Sequence, residues 1–395
     1  METKARPADN NPKRLFIVDD DSSVRELVRD IAEELGYAVA EADNAETFLA
    51  GCASFRPSLV IIDLVMPDTD GVELLRLLAK RSLTAKVCVM SGMDRKVLQT
   101  AMRLGADRGL DMLGAISKPV SVTTLENLLE QASDKAPTLE AEELAQAIDQ
   151  RQLTLHYQPK LRLSADGQAM IDGAEALVRW QHPQRGLLYP DAFIELAEDS
   201  GLITALTDAV IAIAIDLVRQ WQQQGLQLPV AINISPQNLS DLQMPDRLAA
   251  QMHQADVDPQ LFTLEITESA AMRDMDTIAD ILTRFRLKNI ALSMDDFGTG
   301  YSSLVQLYRL PFSELKIDRS FVAEVEHSEE ARIIVRSLAD LARNLGLSSC
   351  AEGVETTAIL DYCRKVGCDT VQGYGICKPL PAEELVRFIQ GWQGL

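Results

Sequence analysis

The sequence predicts two α/β folds in series, an open doubly wound five-stranded parallel sheet followed by a (β/α) barrel. Three observations lead there. Apolar runs alternate with amphipathic segments from Arg14 to about Ala132, the pattern of strands and helices laid around a parallel sheet. Seven short apolar runs in the remaining two-thirds each end in a carboxylate, amide or lysine, at Glu175, Asn233, Glu265, Asp295, Lys316, Glu352 and Gln372. Parallel strands with intervening helices deliver such ends to one face of a barrel. A length of 395 residues, 47% hydrophobic and 25% charged, suits a globular chain with two or three cores.

In the front domain, placed at residues 13–132, strands are predicted at Leu15 to Val18, Leu59 to Ile62 and Val87 to Met90, with a helix over Ser23 to Leu35. Asp19 and Asp20 directly follow the first strand, Asp63 ends the third, Ser91 ends the fourth and Lys118-Pro119 follows the fifth. In a doubly wound sheet these ends meet over one crevice. Paired acids there can hold one Mg2+, a third can accept a phosphoryl group, and a hydroxyl and an ammonium can bind the added phosphate oxygens. Taken alone, Asp19-Asp20-Asp21 reads as a solvated turn or helix cap. Five such residues at matching strand ends favour the site.

Ser133 to Glu142 mixes charge with Pro137 and lacks apolar periodicity, which places a linker at 133–142; a new helix is expected from roughly Leu139 to Gln150. The back domain, 143–395, spaces its apolar runs by roughly 20 to 60 residues, as βα units require. Helices over Ile203 to Gln222 and Ile333 to Leu345 stand between them.

Composition narrows the function. A formal net charge of -21 repels phosphate backbones, so no nucleic-acid partner is expected, although a small anionic substrate can still bind through metal and a few basic residues. Cys52, Cys88, Cys350, Cys363, Cys368 and Cys377 lack the spacings of a zinc site and read as free thiols, several of them buried. Met1 to Lys13 is polar and proline-bearing, unlike an export leader. The longest apolar run, Ala209 to Ile215, is far shorter than the ~20 residues that span a bilayer. A cytoplasmic protein without a membrane partner is expected.

In the back domain Glu175, Glu265 and Asp295 are hard oxygen ligands, Asn233 adds a neutral one, and Asp296 can reach a second ion with Asp295 between the two. Two carboxylates about 4 Å apart repel by roughly 4 kcal/mol at an effective dielectric of 20, so such a cluster takes up protons or metal. Two ions ~3.5 to 4 Å apart clamp the attacking and leaving oxygens of a phosphoryl displacement. Lys316 can stabilise phosphate charge or orient water, and Glu352 can take the proton. Any one of these acids alone is more often a helix cap or half of a surface ion pair. Glu355 is divided between the site and a cap on the next helix. The glycine-bearing stretch Asp296 to Ser303 reads as a lid or coupling loop that Glu268 can anchor. Arg179 shares a strand face with Glu175, which favours a phosphate contact. His156, His182, His253 and His327 have no ligand spacing, and structural roles are expected.

The motifs IVDDD, IIDLVMPDTDG, VMSG and SKP resemble the flavodoxin-like receiver domains of two-component response regulators, over about residues 13 to 132. The resemblance implies that a partner histidine kinase phosphorylates Asp63, that Asp19, Asp20 and Asp63 hold Mg2+, and that Ser91 and Lys118 contact the phosphate. One departure is Ala115, where the family often has a switching aromatic.

YQPK at Tyr157, AEALVRW at Ala174, NISP at Asn233, LEITES at Leu264, MDDFGTGYSSL, LKIDRSF, AEGVE and QGYGICKP resemble the EAL-domain phosphodiesterases, TIM-like barrels that hydrolyse cyclic di-GMP. The family implies metal ligation by Glu175, Asn233, Glu265, Asp295 and Asp296, with two Mg2+ or Mn2+ ions. It further implies Gln158 and Arg179 on the dinucleotide, Lys316 and Glu352 near the nucleophilic water, Glu268 holding the loop, and Gln372 near the second metal site. A homodimer through the barrel domain is also implied. The expected function is hydrolysis of cyclic di-GMP to linear 5'-pGpG under receiver control. Its rivals are a cyclic di-GMP receptor without turnover and an adaptor working by protein contact.

Overall fold

The computed structural model describes the chain from Lys13 to Trp392 apart from residues 68, 82–84, 94, 134–138, 165–167, 272–273 and 299–303. The chain divides into two compact units, Met1–Thr138 and Leu139–Leu395.

In the first unit β1 (Arg14–Val18), β2 (Ala38–Ala42), β3 (Leu59–Asp63), β4 (Lys86–Ser91) and β5 (Met112–Ser117) form a parallel sheet in the order β2-β1-β3-β4-β5. Continuous apolar runs suit strands covered on both faces. Because side chains alternate, Phe16, Val18, Val60, Ile62, Val87 and Val89 build one core with Phe48 and Leu74. Leu15, Ile17, Leu59, Ile61, Cys88 and Met90 build the other with Val28 and Leu125. This is the doubly wound sheet that the sequence predicts.

The second unit contains β6 (Leu153–Leu163), β7 (Ala169–His182), β8 (Gly186–Leu188), β9 (Val230–Asn233), β10 (Phe262–Thr267), β11 (Ala291–Phe297), β12 (Glu314–Ile317), β13 (Ser348–Ala351), β14 (Thr370–Val371) and β15 (Leu380–Pro381). Eight of these close a barrel in the order β6-β7-β9-β10-β11-β12-β13-β14, and β14 pairs back onto β6. One strand departs from the all-parallel expectation: β6 runs antiparallel to both neighbours, since it joins β7 directly rather than through a crossover helix.

Alternation places the chemistry. In β10 Leu264 and Ile266 join the core outside the barrel, in β11 Leu292 and Met294 do so, and in β12 Leu315 and Ile317 do so. Glu265, Ser293, Asp295, Glu314 and Lys316, between them, face inward and meet one another. The helix expected from Ile333 begins earlier and spans Glu329–Leu345. The Ser328 side chain caps it by accepting from the Ala331 amide, and Glu329 and Glu330 suit its positive end; neither signal is apolar. A helix Ala141–Asp149 opens the unit, starting inside the segment read as linker, while residues 134–138 of that segment lie outside the described ones. Among the described residues no helix is long and apolar enough to cross a membrane.

Candidate active site

Two acidic crevices stand at strand ends, one in each unit. In the first, Asp19, Asp20 and Asp63 each offer an oxygen, all within 4.8 Å of one another. Lys118 Nζ lies 2.7 Å from Asp19 Oδ2 and 2.6 Å from Asp63 Oδ2. Burial raises the Asp19 carboxyl against the pull of Lys118. Asp63 Oδ1 accepts from the Val65 amide at 3.0 Å, and Ser91 Oγ accepts from the Met93 amide at 3.0 Å. Asp21 instead caps the helix Ser22–Glu34. Ala115 is exposed on β5.

In the barrel, Asn233 closes β9, Lys316 stands just before the end of β12, and Glu352 and Gln372 directly follow β13 and β14. Glu175 does not end its strand. It stands at mid-strand, because β7 continues to His182 as a hairpin arm after its last pairing with β9 at Ala176.

The centre of the site is an ammonium. Lys316, 1% exposed, places Nζ 2.7 Å from Glu265, 2.7 Å from Glu352, 3.1 Å from Asp295 and 3.9 Å from Glu175. Lys160, from β6, holds the other Glu265 oxygen at 2.7 Å and lies 3.3 Å from Glu314, which also accepts from Ser293 Oγ at 2.7 Å. Glu175 accepts from Asn233 Nδ2 at 2.7 Å and from Gln372 Nε2 at 2.6 Å; that Nε2 also donates to Gln158 Oε1 at 2.9 Å. At the mouth Asp295, Asp296 and Glu352 each offer an oxygen within 4.8 Å of the others. Asp296 adopts a left-handed φ of 57°, uncommon for a residue with a Cβ, and Glu268 accepts from the nearby Gly298 amide at 2.9 Å.

Burial and charge set opposite protonation tendencies. Burial alone would raise the Glu265 carboxyl, but Lys160 and Lys316 outweigh it and hold the group at about 2. Glu352 is pushed up to about 8 by burial, with Asp295 and Glu175 adding to the rise against Lys316. Asp296 is raised to about 6 by burial and by Asp295. Burial and the neighbouring Glu265 raise Glu175. Despite burial, the surrounding acids keep both lysines well above their ordinary range.

The donor set fits a hard divalent cation. Among the described residues carboxylates and amides converge without a thiol or imidazole, and Gln372 Oε1 is buried with no hydrogen-bond partner among them.

A family model described as EAL domain matches residues 141–379, and one described as response regulator receiver domain matches residues 15–130. The chain belongs to the EAL-domain family. A receiver domain precedes its EAL domain. Cyclic di-GMP phosphodiesterase RocR of Pseudomonas aeruginosa is 30% identical over 362 residues, covering 89% of this chain and 91% of the relative. The bifunctional diguanylate cyclase/cyclic di-GMP phosphodiesterase MucR of the same organism is 42% identical over 248 residues, 62% of this chain. The chain spans only 36% of MucR and 32% of the cyclic di-GMP phosphodiesterase NbdA, also of that organism. Among solved structures, the PaMucR phosphodiesterase in complex with c-di-GMP superposes with a TM-score of 0.59 at 41% identity, covering 62% of this chain and 98% of that one.

Within the EAL domain, Gln158, Glu175, Asp295, Lys316, Glu352 and Gln372 line one cavity of about 220 Å³. Glu355 lines it too, and the side-chain cap of the helix Thr357–Val366 comes from Thr356. Arg179 is not among the described residues of that wall. It is buried, donates to Val178 O at 2.8 Å and lies 4.8 Å from the centroid of the Tyr189 ring. Of the stretch 296–303, residues 299–303 lie outside the described ones. His182 has the structural role expected of it, accepting from the Gln184 and Arg185 amides through Nδ1. All six cysteines are free, and Cys88, Cys350, Cys363 and Cys368 are buried.

Sequence reading missed Lys160 and Glu314. The signal existed in part: Lys160 follows Gln158 at the strand period, which puts both on one face of β6.

Proposed function

We propose that the EAL domain hydrolyses cyclic di-GMP to linear 5'-pGpG and that phosphorylation of Asp63 modulates the rate. One observation carries this reading: Glu175, Glu265, Asp295 and Glu352 converge on one buried ammonium in the wall of a cavity. Six inward carboxylates (Glu175, Glu265, Asp295, Asp296, Glu314 and Glu352) face two ammonium groups, Lys160 and Lys316. When all are ionised four negative charges remain, the charge that two divalent cations balance. Likeness to RocR and to the c-di-GMP complex of PaMucR supports the choice of substrate.

Glu175, Asn233, Glu265, Asp295 and Asp296 would hold two Mg2+ or Mn2+ ions. Bound there, such ions supply Lewis acidity to the phosphate and make water a stronger acid. The chain's own residues do the rest. Asn233 and Gln372 fix both oxygens of Glu175, and Lys160 fixes one oxygen of Glu265, so the donors are oriented before substrate arrives. Gln158 positions the dinucleotide from the cavity wall, and Arg179 contacts it from beside Tyr189, outside that wall. Glu352, 2.7 Å from Lys316 and in the cavity wall, accepts the proton of the attacking water. The water oxygen bonds to phosphorus, the bond from phosphorus to the 3' oxygen breaks, and the proton passes to that oxygen.

In the receiver, Asp63 accepts the phosphoryl group from a partner histidine kinase, Asp19, Asp20 and Asp63 hold one Mg2+, and Ser91 and Lys118 take the added oxygens. We further assign a cytoplasmic location and a homodimer through the EAL domain. The test is incubation with cyclic di-GMP and Mg2+ or Mn2+, followed by chromatography. Linear dinucleotide supports the hydrolase, binding without turnover supports a receptor, and neither supports an adaptor.

A further inference from the structure

Asn233 is exposed at the end of β9, so its grip on Glu175 depends on what holds the segment that follows it. Ile234 N donates to Glu265 O at 2.9 Å, and Thr207 Oγ1 donates to Asn238 Oδ1 at 3.0 Å. Between these two anchors the segment is held by Glu198, which has no part in the chemistry above. Ser235 Oγ donates to Glu198 Oε1 at 2.7 Å, and Gln237 Nε2 donates to the backbone oxygen of Glu198 at 3.2 Å. A carboxylate accepts and does not donate, so the hydroxyl supplies the proton of the shorter bond.

Glu198 is itself fixed from the barrel. It stands near the end of the helix Ile194–Asp199, which is seated by the buried Phe193 and Ala197. The Phe193 ring meets Trp180 edge-on at 5.9 Å, and Trp180 lies on β7, the strand that carries Glu175. The contacts close a circuit: β7 to Phe193, the helix to Glu198, Glu198 to Ser235, and Asn233 back to Glu175. Ligand side chains need their geometry held to within about 0.5 Å, and such a circuit supplies that restraint.

We propose that Glu198 is a positioning residue: through the Ser235 hydroxyl it sets the segment that presents Asn233 to Glu175, and so tunes cation affinity in the barrel without touching cation or substrate. This rests on the reading of Asn233 and Glu175 as metal ligands. Glu198, Asn233 and Ser235 also line a cavity of about 490 Å³. Direct contact with a ligand there would give Glu198 an effect that the Ser235 hydroxyl does not share.

The test uses full-length protein carrying Asp20→Asn, which removes a receiver ligand so that Mn2+ calorimetry reads the barrel, alongside the Mn2+ half-saturation of cyclic di-GMP cleavage. Glu198→Ala and Ser235→Ala should each raise the Mn2+ Kd roughly three- to tenfold, less than the ~10- to 100-fold typical for a group bonded directly to a metal ligand. The double variant should be no weaker than either, because both remove the same bond. Glu198→Gln and Ser235→Thr keep the acceptor and the hydroxyl and should match the parent. Ser235→Ala with the parent's Kd would overturn the proposal, as would Glu198→Gln as weak as Glu198→Ala, or a double variant whose losses multiply. If Glu198→Ala does not fold by circular dichroism, the comparison of Ser235→Ala with Ser235→Thr decides. A parent that binds Mn2+ without cleaving cyclic di-GMP ends the hydrolase reading and leaves the Kd comparison decisive. A parent whose barrel binds no Mn2+ overturns both.

Discussion

Lys316 relieves repulsion that a count of acids alone assigns to protons or metal. Its ammonium sits where four carboxylates meet, and Lys160 neutralises Glu265 from the other side. The acids were legible because each interrupts or closes an apolar run. Lys160 was not, because its partners come from β10 and β12, more than a hundred residues away in the chain. Two predictions belong to this scale. Glu352→Gln should lower turnover by roughly 10²- to 10⁴-fold with little change in substrate affinity, measured by initial rates and calorimetry. Unchanged turnover would remove Glu352 from the proton transfer. Glu265, held at about 2 against an ordinary value of 4.5, contributes stability above pH 4.5 that is lost as pH falls toward 2. The full amount is about 3 kcal/mol. Urea unfolding of the EAL domain followed from pH 7 to pH 3 should therefore be flatter for Glu265→Gln than for wild type, and parallel curves would contradict the pairing.

At the scale of the element, the predicted strands appear because alternation and apolar runs are local signals. What escaped the sequence depends on pairing. The reversal of β6 follows from its hairpin with β7, and the mid-strand position of Glu175 follows from the extension of β7 along β8. The early start of the helix Glu329–Leu345 lay in a serine cap, a signal that apolar periodicity does not carry. The placement of 372–375 against the loop after β13 depends on close approach of two loops. Gly373→Ala, whose Cβ would strike Val354 backbone, should destabilise the EAL domain by about 1–3 kcal/mol and reduce activity by displacing Gln372. Gly391→Ala, with open space at its Cβ, is the control and should leave the thermal midpoint almost unchanged.

For the whole molecule, two units carry two acidic crevices, and the proposal couples them through phosphorylation. A coupling of about 1–3 kcal/mol, typical between distinct sites, changes turnover roughly 5- to 150-fold. Acetyl phosphate should shift the cyclic di-GMP rate in wild type and leave Asp63→Asn unaffected; equal wild-type rates once Asp63 is shown to be labelled would refute the coupling. At position 115 the exposed Ala115 offers no aromatic ring to rotate. The barrel chemistry stands apart from that control and can be tested in one measurement. Full-length protein is incubated with cyclic di-GMP and Mn2+ in water enriched in ¹⁸O, and the dinucleotide is weighed by mass spectrometry. A linear product with one ¹⁸O on its terminal phosphate is predicted. Cyclic di-GMP recovered intact and unlabelled, with Mn2+ saturating, would contradict the account.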